Sequence, residues 1–166
     1  MSPDCRYLWI GNQRSGILDV VDTKTHALTE ELIVAEPGGG TDILFFLNKF
    51  KKGQEGLGIA TNRYSDHVTL ISYNKPFRVI KRIATGLGSH YITFNEDDTK
   101  AFVSNRLGSS FSLINLNDKD FHEIKKVKEK CENGSECFER LDQAYYVWFK
   151  QGVAHSSSER GGMDAC

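Results

Sequence analysis

The sequence predicts an all-β fold of repeated four-stranded antiparallel sheets, on three observations. First, residues 7–22 (YLWIGNQRSGILDVVD), 57–72 (LGIATNRYSDHVTLIS) and 100–115 (KAFVSNRLGSSFSLIN) align without a gap. Second, in each copy an apolar-rich run ends in asparagine (Asn12, Asn62, Asn105), turn-forming residues follow, and another apolar run closes the unit. Third, the runs are about five to seven residues long, rich in Val, Ile, Phe and Tyr, and bounded by Gly, Asn, Asp or Ser, which is the grammar of strands and turns rather than helices. Four antiparallel strands recurring every ~40–45 residues describe the blade of a β-propeller, a sheet that buries both faces only when neighbours stack on it. The expected fold is a partial β-propeller of about three four-stranded antiparallel blades with an irregular C-terminal tail.

The elements follow in chain order. The first copy opens directly on its second strand, YLWIGN, so its innermost strand is missing; ILDVVD is its third, and its fourth is not singled out by any apolar pattern. GGTDILFF (39–46) is the inner strand of the second copy and LGSHYITF (87–94) that of the third, aligning Gly40 with Gly88, Asp42 with His90 and Phe46 with Phe94. Third strands stack Leu18, Val68 and Phe111 in one column, Val20, Leu70 and Leu113 in the next, and Val21, Ile71 and Ile114 in a third. Fourth strands are FRVIKRIA (77–84) and FHEIKKVK (121–128), with Phe77 over Phe121 and Ile80 over Ile124. LNKFKKGQEG (47–56), rich in lysine and glycine, reads as an enlarged hairpin loop. The copies span about 2–46, 39–94 and 87–128, sharing boundary strands, and 129–166 is a divergent or partly disordered tail with one strand candidate, AYYVWF, at 144–149. Tyr7, Trp9 and Phe102, in second strands, are expected to pack between blades.

Composition removes several function classes. Lys+Arg total 21 against 22 Asp+Glu, a net charge of -1 over 166 residues, so neither a nucleic-acid partner nor an acidic tail is implied. No apolar run approaches the roughly 18 residues that span a bilayer, and the start lacks the basic-then-apolar pattern of a secretory leader, so a soluble chain without a signal peptide or membrane insertion is expected. Cys5, Cys131, Cys137 and Cys166 lack zinc-ligand spacing. They read as free thiols, or else Cys131 and Cys137 close a small disulfide loop in an oxidising compartment. Asn133-Gly134-Ser135 inside that loop is both a tight-turn sequence and a glycosylation sequon.

These repeats resemble the YVTN-type propeller repeats of bacterial surface-layer-like proteins and of the haem-d-binding propeller of nitrite reductases. The resemblance is carried by GSHYITFNEDDTKAFVSN, by LGIATN with HVTLIS, and by SPDCRYLWIGN with ILDVVD, over about residues 2–128. The chain departs from the family pattern at Cys5 and Asp98, where glycine is expected, and at Ser89, where proline is expected. The resemblance implies an axial channel lined by inner strands, with ligand contacts near their starts, where His90 and Asp42 stand. It also implies a periplasmic or extracellular place for a full-length form.

Arg63 and Arg106 share the column after the asparagine and are the remaining candidates, suited to an anionic partner at one rim. Asn12, Asn62 and Asn105 are read as structural, because a short amide at a strand end bonds nearby backbone and tolerates left-handed dihedrals. No GxSxG, HExxH, phosphate-cradling loop or paired-cysteine site is present. The expected function is therefore a non-enzymatic binding or scaffold module, a fragment or reduced form of a longer propeller, that holds a protein or other macromolecule on its loop rim. The alternative is part of a haem-d-type redox or lactone-hydrolysing enzyme. No cofactor or metal is expected except haem under that alternative, and exposed end-blade faces predict a homodimer.

Overall fold

A computed structural model describes residues 1–46, 56–95, 99–116 and 122–128. Its strands are β1 (Tyr7–Gly11), β2 (Ile17–Asp22), β3 (Leu28–Ile33), β4 (Thr41–Phe46), β5 (Leu57–Asn62), β6 (His67–Ser72), β7 (Arg78–Ala84), β8 (Ser89–Phe94), β9 (Lys100–Asn105), β10 (Ser110–Asn115) and β11 (His122–Lys128). They form three antiparallel sheets in the orders β1-β2-β3, β4-β5-β6-β7 and β8-β9-β10-β11. The molecule is all-β, and a 3-10 turn at Arg106–Gly108 is the sole helical piece among the described residues. Among the described residues the first sheet has three strands, and β1 aligns with the second strands of the other two sheets. Its fourth, β3, escapes an apolar reading because LTEELI exposes most of its residues and buries Leu32.

Burial shows how the sheets stack. A strand with one covered face alternates buried and exposed residues, whereas one between two layers has no exposed side. In β1, Tyr7 and Trp9 are buried while Leu8 and Ile10 are exposed. Every residue of β5 is buried, and so is every residue of β6 except His67. In β9, Ala101, Val103 and Asn105 are buried between partly exposed Phe102 and Ser104. The second sheet is therefore sandwiched by the first and third, forming an arc.

Two cores fill the two gaps. Tyr7, Trp9, Leu18 and Val20 meet Ile71 and Phe77 in one, with the Phe77 ring edge-on to Tyr7 at 4.9 Å and to Trp9 at 5.2 Å. Ile59, Val68 and Leu70 meet Ile92, Phe94, Ala101, Val103 and Ile114 in the other. The columns at 18/68/111 and 20/70/113 thus point forward, toward the following sheet, and the intervening column at 19/69/112 points backward. Tyr7 and Trp9 pack between sheets as expected. Phe102, half-buried in the same column as Trp9, lies on the forward face of the third sheet, beyond the two gaps between described sheets.

Cys5 is disulfide-bonded, which corrects the free-thiol expectation at that position. The 47–56 insertion apart from Gly56, the Cys131–Cys137 pair, Asn133 and the 144–149 strand candidate lie outside the described residues.

Candidate functional site

One rim of the arc gathers the turns that carry the repeated asparagines together with the linkers between sheets. Arg63 N–H donates to Gly40 O (2.6 Å) and Tyr64 N–H to Gly39 O (2.9 Å), so the β5–β6 turn lies on the linker leading into β4. The β9–β10 turn repeats the arrangement, with Arg106 N–H donating to Gly88 O (2.8 Å) and Gly108 N–H to Leu87 O (2.9 Å). Gly40 and Gly88 make this possible, since both adopt left-handed backbone at φ +62° and +76°. A Cβ at Gly40 would collide with Gln13 O, and one at Gly88 would stand 2.8 Å from Leu107 Cγ.

The asparagine amides lock the turns. The amide nitrogen of each donates to a side-chain oxygen seven residues on: Asn12 to Asp19 (2.8 Å), Asn62 to Thr69 (3.1 Å) and Asn105 to Ser112 (2.9 Å). Asn62 also donates to His67 O and Asn105 to Ser110 Oγ. The three asparagines hold the turns by these bonds and not by left-handed backbone, because none of them has positive φ. The acceptor column Asp19, Thr69 and Ser112 was missed in the sequence, although every member is an oxygen-bearing residue at the same offset from an aligned asparagine.

The same column ties the second and third sheets to the linkers before them. Thr69 Oγ1 donates to Val34 O (2.6 Å), and Ser112 Oγ accepts from Gly86 N–H (3.2 Å). Ser89 adds a further tie between the second and third sheets, its hydroxyl accepting from Asn62 N–H (2.9 Å) and lying 3.1 Å from both Asn62 O and His67 O. These bonds need a hydroxyl at position 89.

A cleft of about 680 Å³ opens on this rim, lined by Glu36, Tyr64, Ser65, Asp66, His67 and Arg82 among others. His67 Nε2 lies 3.3 Å from Val34 O and its Nδ1 3.7 Å from the exposed Asp66 carboxylate. Arg82 and Glu36 form an ion pair at 2.8 Å, both in water and therefore worth at most about 1 kcal/mol. None of these cleft residues was singled out from sequence, because turn residues of this kind look like ordinary solvated loop.

Of the sequence candidates, His90 and Asp42 hold equivalent places, each one residue past the position (Ser89, Thr41) that pairs with a repeat asparagine. His90 is half-buried with its ring edge-on to Tyr91 at 4.3 Å; for Asp42 the described part is the backbone. Arg63 and Arg106 also hold equivalent places, one residue past those asparagines, and the Arg63 guanidinium lies 6.0 Å from the Tyr64 ring centre. All four belong to the same rim. Among the described residues no three His, Cys, Asp or Glu side chains come together as a metal site.

At the opposite end of the first sheet, backbone N–H groups of Lys24 and Thr25 point at the Asp22 carboxylate, and Arg6 pairs with it at 3.2 Å. The Lys24 bond first, with those of Thr25 and Arg6, holds its pKa below the ordinary carboxylate value against the opposing effect of burial. No described helix is long and apolar enough to cross a membrane.

No family model matches the chain, and no curated protein does. Solved structures do match it. Kuenenia stuttgartiensis hydrazine synthase is 20% identical with a TM-score of 0.56, covering 78% of this chain and 34% of that one. The dihydro-heme d1 dehydrogenase NirN, in complex with DHE, is 16% identical with a TM-score of 0.62, covering 80% and 28%. A putative 6-phosphogluconolactonase from Bacteroides fragilis is 13% identical with a TM-score of 0.60, covering 75% and 36%. The chain thus spans about a third of the length of the structures it matches. These are propeller-type proteins, and the likeness shows the fold: the three stacked sheets are a partial β-propeller.

Proposed function

We propose that the chain is a non-enzymatic propeller module, built of YVTN-type repeats, that holds a protein or other macromolecule against the asparagine rim. The observation that carries this reading is a division of labour among rim side chains. The polar groups that chemistry would need, those of Asn62, Asn105, Thr69, Ser89 and Ser112, are committed to holding the blades together. What faces solvent is a repeated large apolar or aromatic group following a half-buried arginine: Tyr64 (51% exposed) after Arg63, and Leu107 (48% exposed) after Arg106, flanked by Leu87. Tyrosine and arginine are the residues that anchor protein interfaces, and this pattern suits a surface carrying both acidic and apolar groups. The disulfide at Cys5 supports an oxidising, periplasmic or extracellular compartment.

The test is capture from the native source on the immobilised chain, compared with Arg63→Ala/Tyr64→Ala/Arg106→Ala/Leu107→Ser. The expected result is loss of the captured protein with the thermal midpoint retained. Equal capture by both would refute the rim as the binding surface. A second reading, a piece of a haem-binding or lactone-hydrolysing enzyme, draws on half-buried His90 at the start of an inner strand. A Soret-region band abolished by His90→Ala would favour it, and a colourless protein inert toward sugar lactones would leave the binding module.

A further inference from the structure

We infer that the backward face of the first sheet is an assembly surface whose occupant is the forward face of the third sheet of a second copy of this chain. Cross-strand register places Leu8, Val21 and Leu28 in one row on that face, Ile10, Asp19 and Glu31 in the next, and Ile17 and Ile33 in a third. Leu28 is 55% exposed and Ile33 65%. An apolar sheet face of this kind, unlike scattered surface leucines, marks an interaction site.

The identity of the occupant comes from Asp19. Its column mates Thr69 and Ser112 both bond to the linker that follows the preceding sheet, and Ser112 does so by accepting a backbone N–H. Asp19 Oδ2 accepts from Asn12, while Oδ1 is buried with no partner among the described residues. A buried carboxylate oxygen that lacks a donor is costly, and its place in the repeat calls for a backbone N–H from a sheet stacked behind it. The face is therefore shaped for another blade.

Charge selects which face of the second copy meets it. Two backward faces brought together would oppose Asp19 and Glu31 with their own counterparts, a like-charge contact. The forward face of the third sheet carries the partly exposed Phe111 and Leu113 instead, in the columns that Leu18 and Val20 fill within the first gap. Repeating this head-to-tail contact about a twofold axis closes a ring of two three-sheet arcs, within the range of blade numbers at which propellers close.

Light scattering on the full chain, with circular dichroism as a check on folding, tests this. The wild type is expected to be a dimer at micromolar concentration and Leu8→Glu/Ile10→Glu a folded monomer. A wild type that stays monomeric from about 1 to 100 µM, or a variant that dimerises as well as wild type, overturns the proposal. Leu113→Glu is also expected to be monomeric, and mixing it with Leu8→Glu/Ile10→Glu should restore a heterodimer, because one of the two contacts is then intact on both sides. If the mixture stays monomeric while both variants are folded, the head-to-tail arrangement is wrong. Asp19→Ser keeps an acceptor and should dimerise like wild type, whereas Asp19→Val should raise the dimer Kd about tenfold or more. Equal Kd values would remove Asp19 from the contact.

Discussion

At the scale of single residues, the asparagines show how one amide organises a blade. Asn62 and Asn105 are wholly buried, and each spends its two donors on the hairpin that follows. Leucine at Asn105 would remove the amide donor shared by the Ser110 and Ser112 hydroxyls in a buried turn, leaving Ser112 its Gly86 bond. Asn105→Leu is therefore expected to destabilise by about 1–2 kcal/mol in urea titrations while leaving rim binding unchanged; lost binding at an unchanged midpoint would instead assign Asn105 to the ligand. Asp22 gives a pH-dependent counterpart. Its folded pKa is depressed, so the stability it contributes is present above the unfolded value near ~3.9 and is lost as pH falls through the folded pKa. Asp22→Asn should lower the thermal midpoint at pH 7, and the gap from wild type should close below about pH 4. A gap that stays constant from pH 7 to pH 3 would show that the charge of Asp22 contributes nothing.

At the scale of elements, the repeats reproduce irregularities as faithfully as strands. The register slips between third and fourth strands at Val20/Val21, Leu70/Ile71 and Leu113/Ile114, the same columns each time, and between inner and second strands at Thr41/Leu44 and Ser89/Ile92. Bulges at fixed positions sharpen twist, which stacked blades need. In the second repeat the slip leaves Ile80 as the extra residue, so its alignment with Ile124, legible in the sequence as an apolar column, marks a bulge. The strands, turns and inter-sheet columns were legible because apolar alternation and turn residues are written locally. The acceptor column, the cleft and β3 were not, because they depend on which sheet lies behind, and that is non-local. The inner strands begin two residues later than the apolar runs suggest, since Gly40 and Gly88 must first turn the chain. Gly88→Ala should therefore cost more than Gly38→Ala. Both backbones are left-handed, which costs about 1–2 kcal/mol for a residue with a Cβ, but only at Gly88 does the new carbon meet neighbours within 4 Å. Equal urea midpoints for the two variants would mean that Leu107 moves aside at no cost.

At the scale of the whole molecule, an arc in which each sheet touches only its neighbours has a stability that is a sum of blade and interface contributions, and it opens first where an interface is missing. The second sheet has two interfaces and the first sheet one among the described sheets. A cavity at Leu70, fully buried between the second and third sheets, lies where the structure cannot easily collapse, so Leu70→Ala should cost about 2–5 kcal/mol. Leu8→Ala, on the open backward face, should cost less, about 1 kcal/mol or under when measured on the monomer, because the leucine is already 39% exposed. Amide exchange should follow the same gradient, slowest in β5 and β6 and faster in β1 and β3. Raising the concentration into the dimer range should slow β1 and β3 selectively, since covering the backward face supplies the first sheet with its second neighbour. Exchange that is uniform across the three sheets at every concentration would show that the arc unfolds as one unit, and the nearest-neighbour description would then fail.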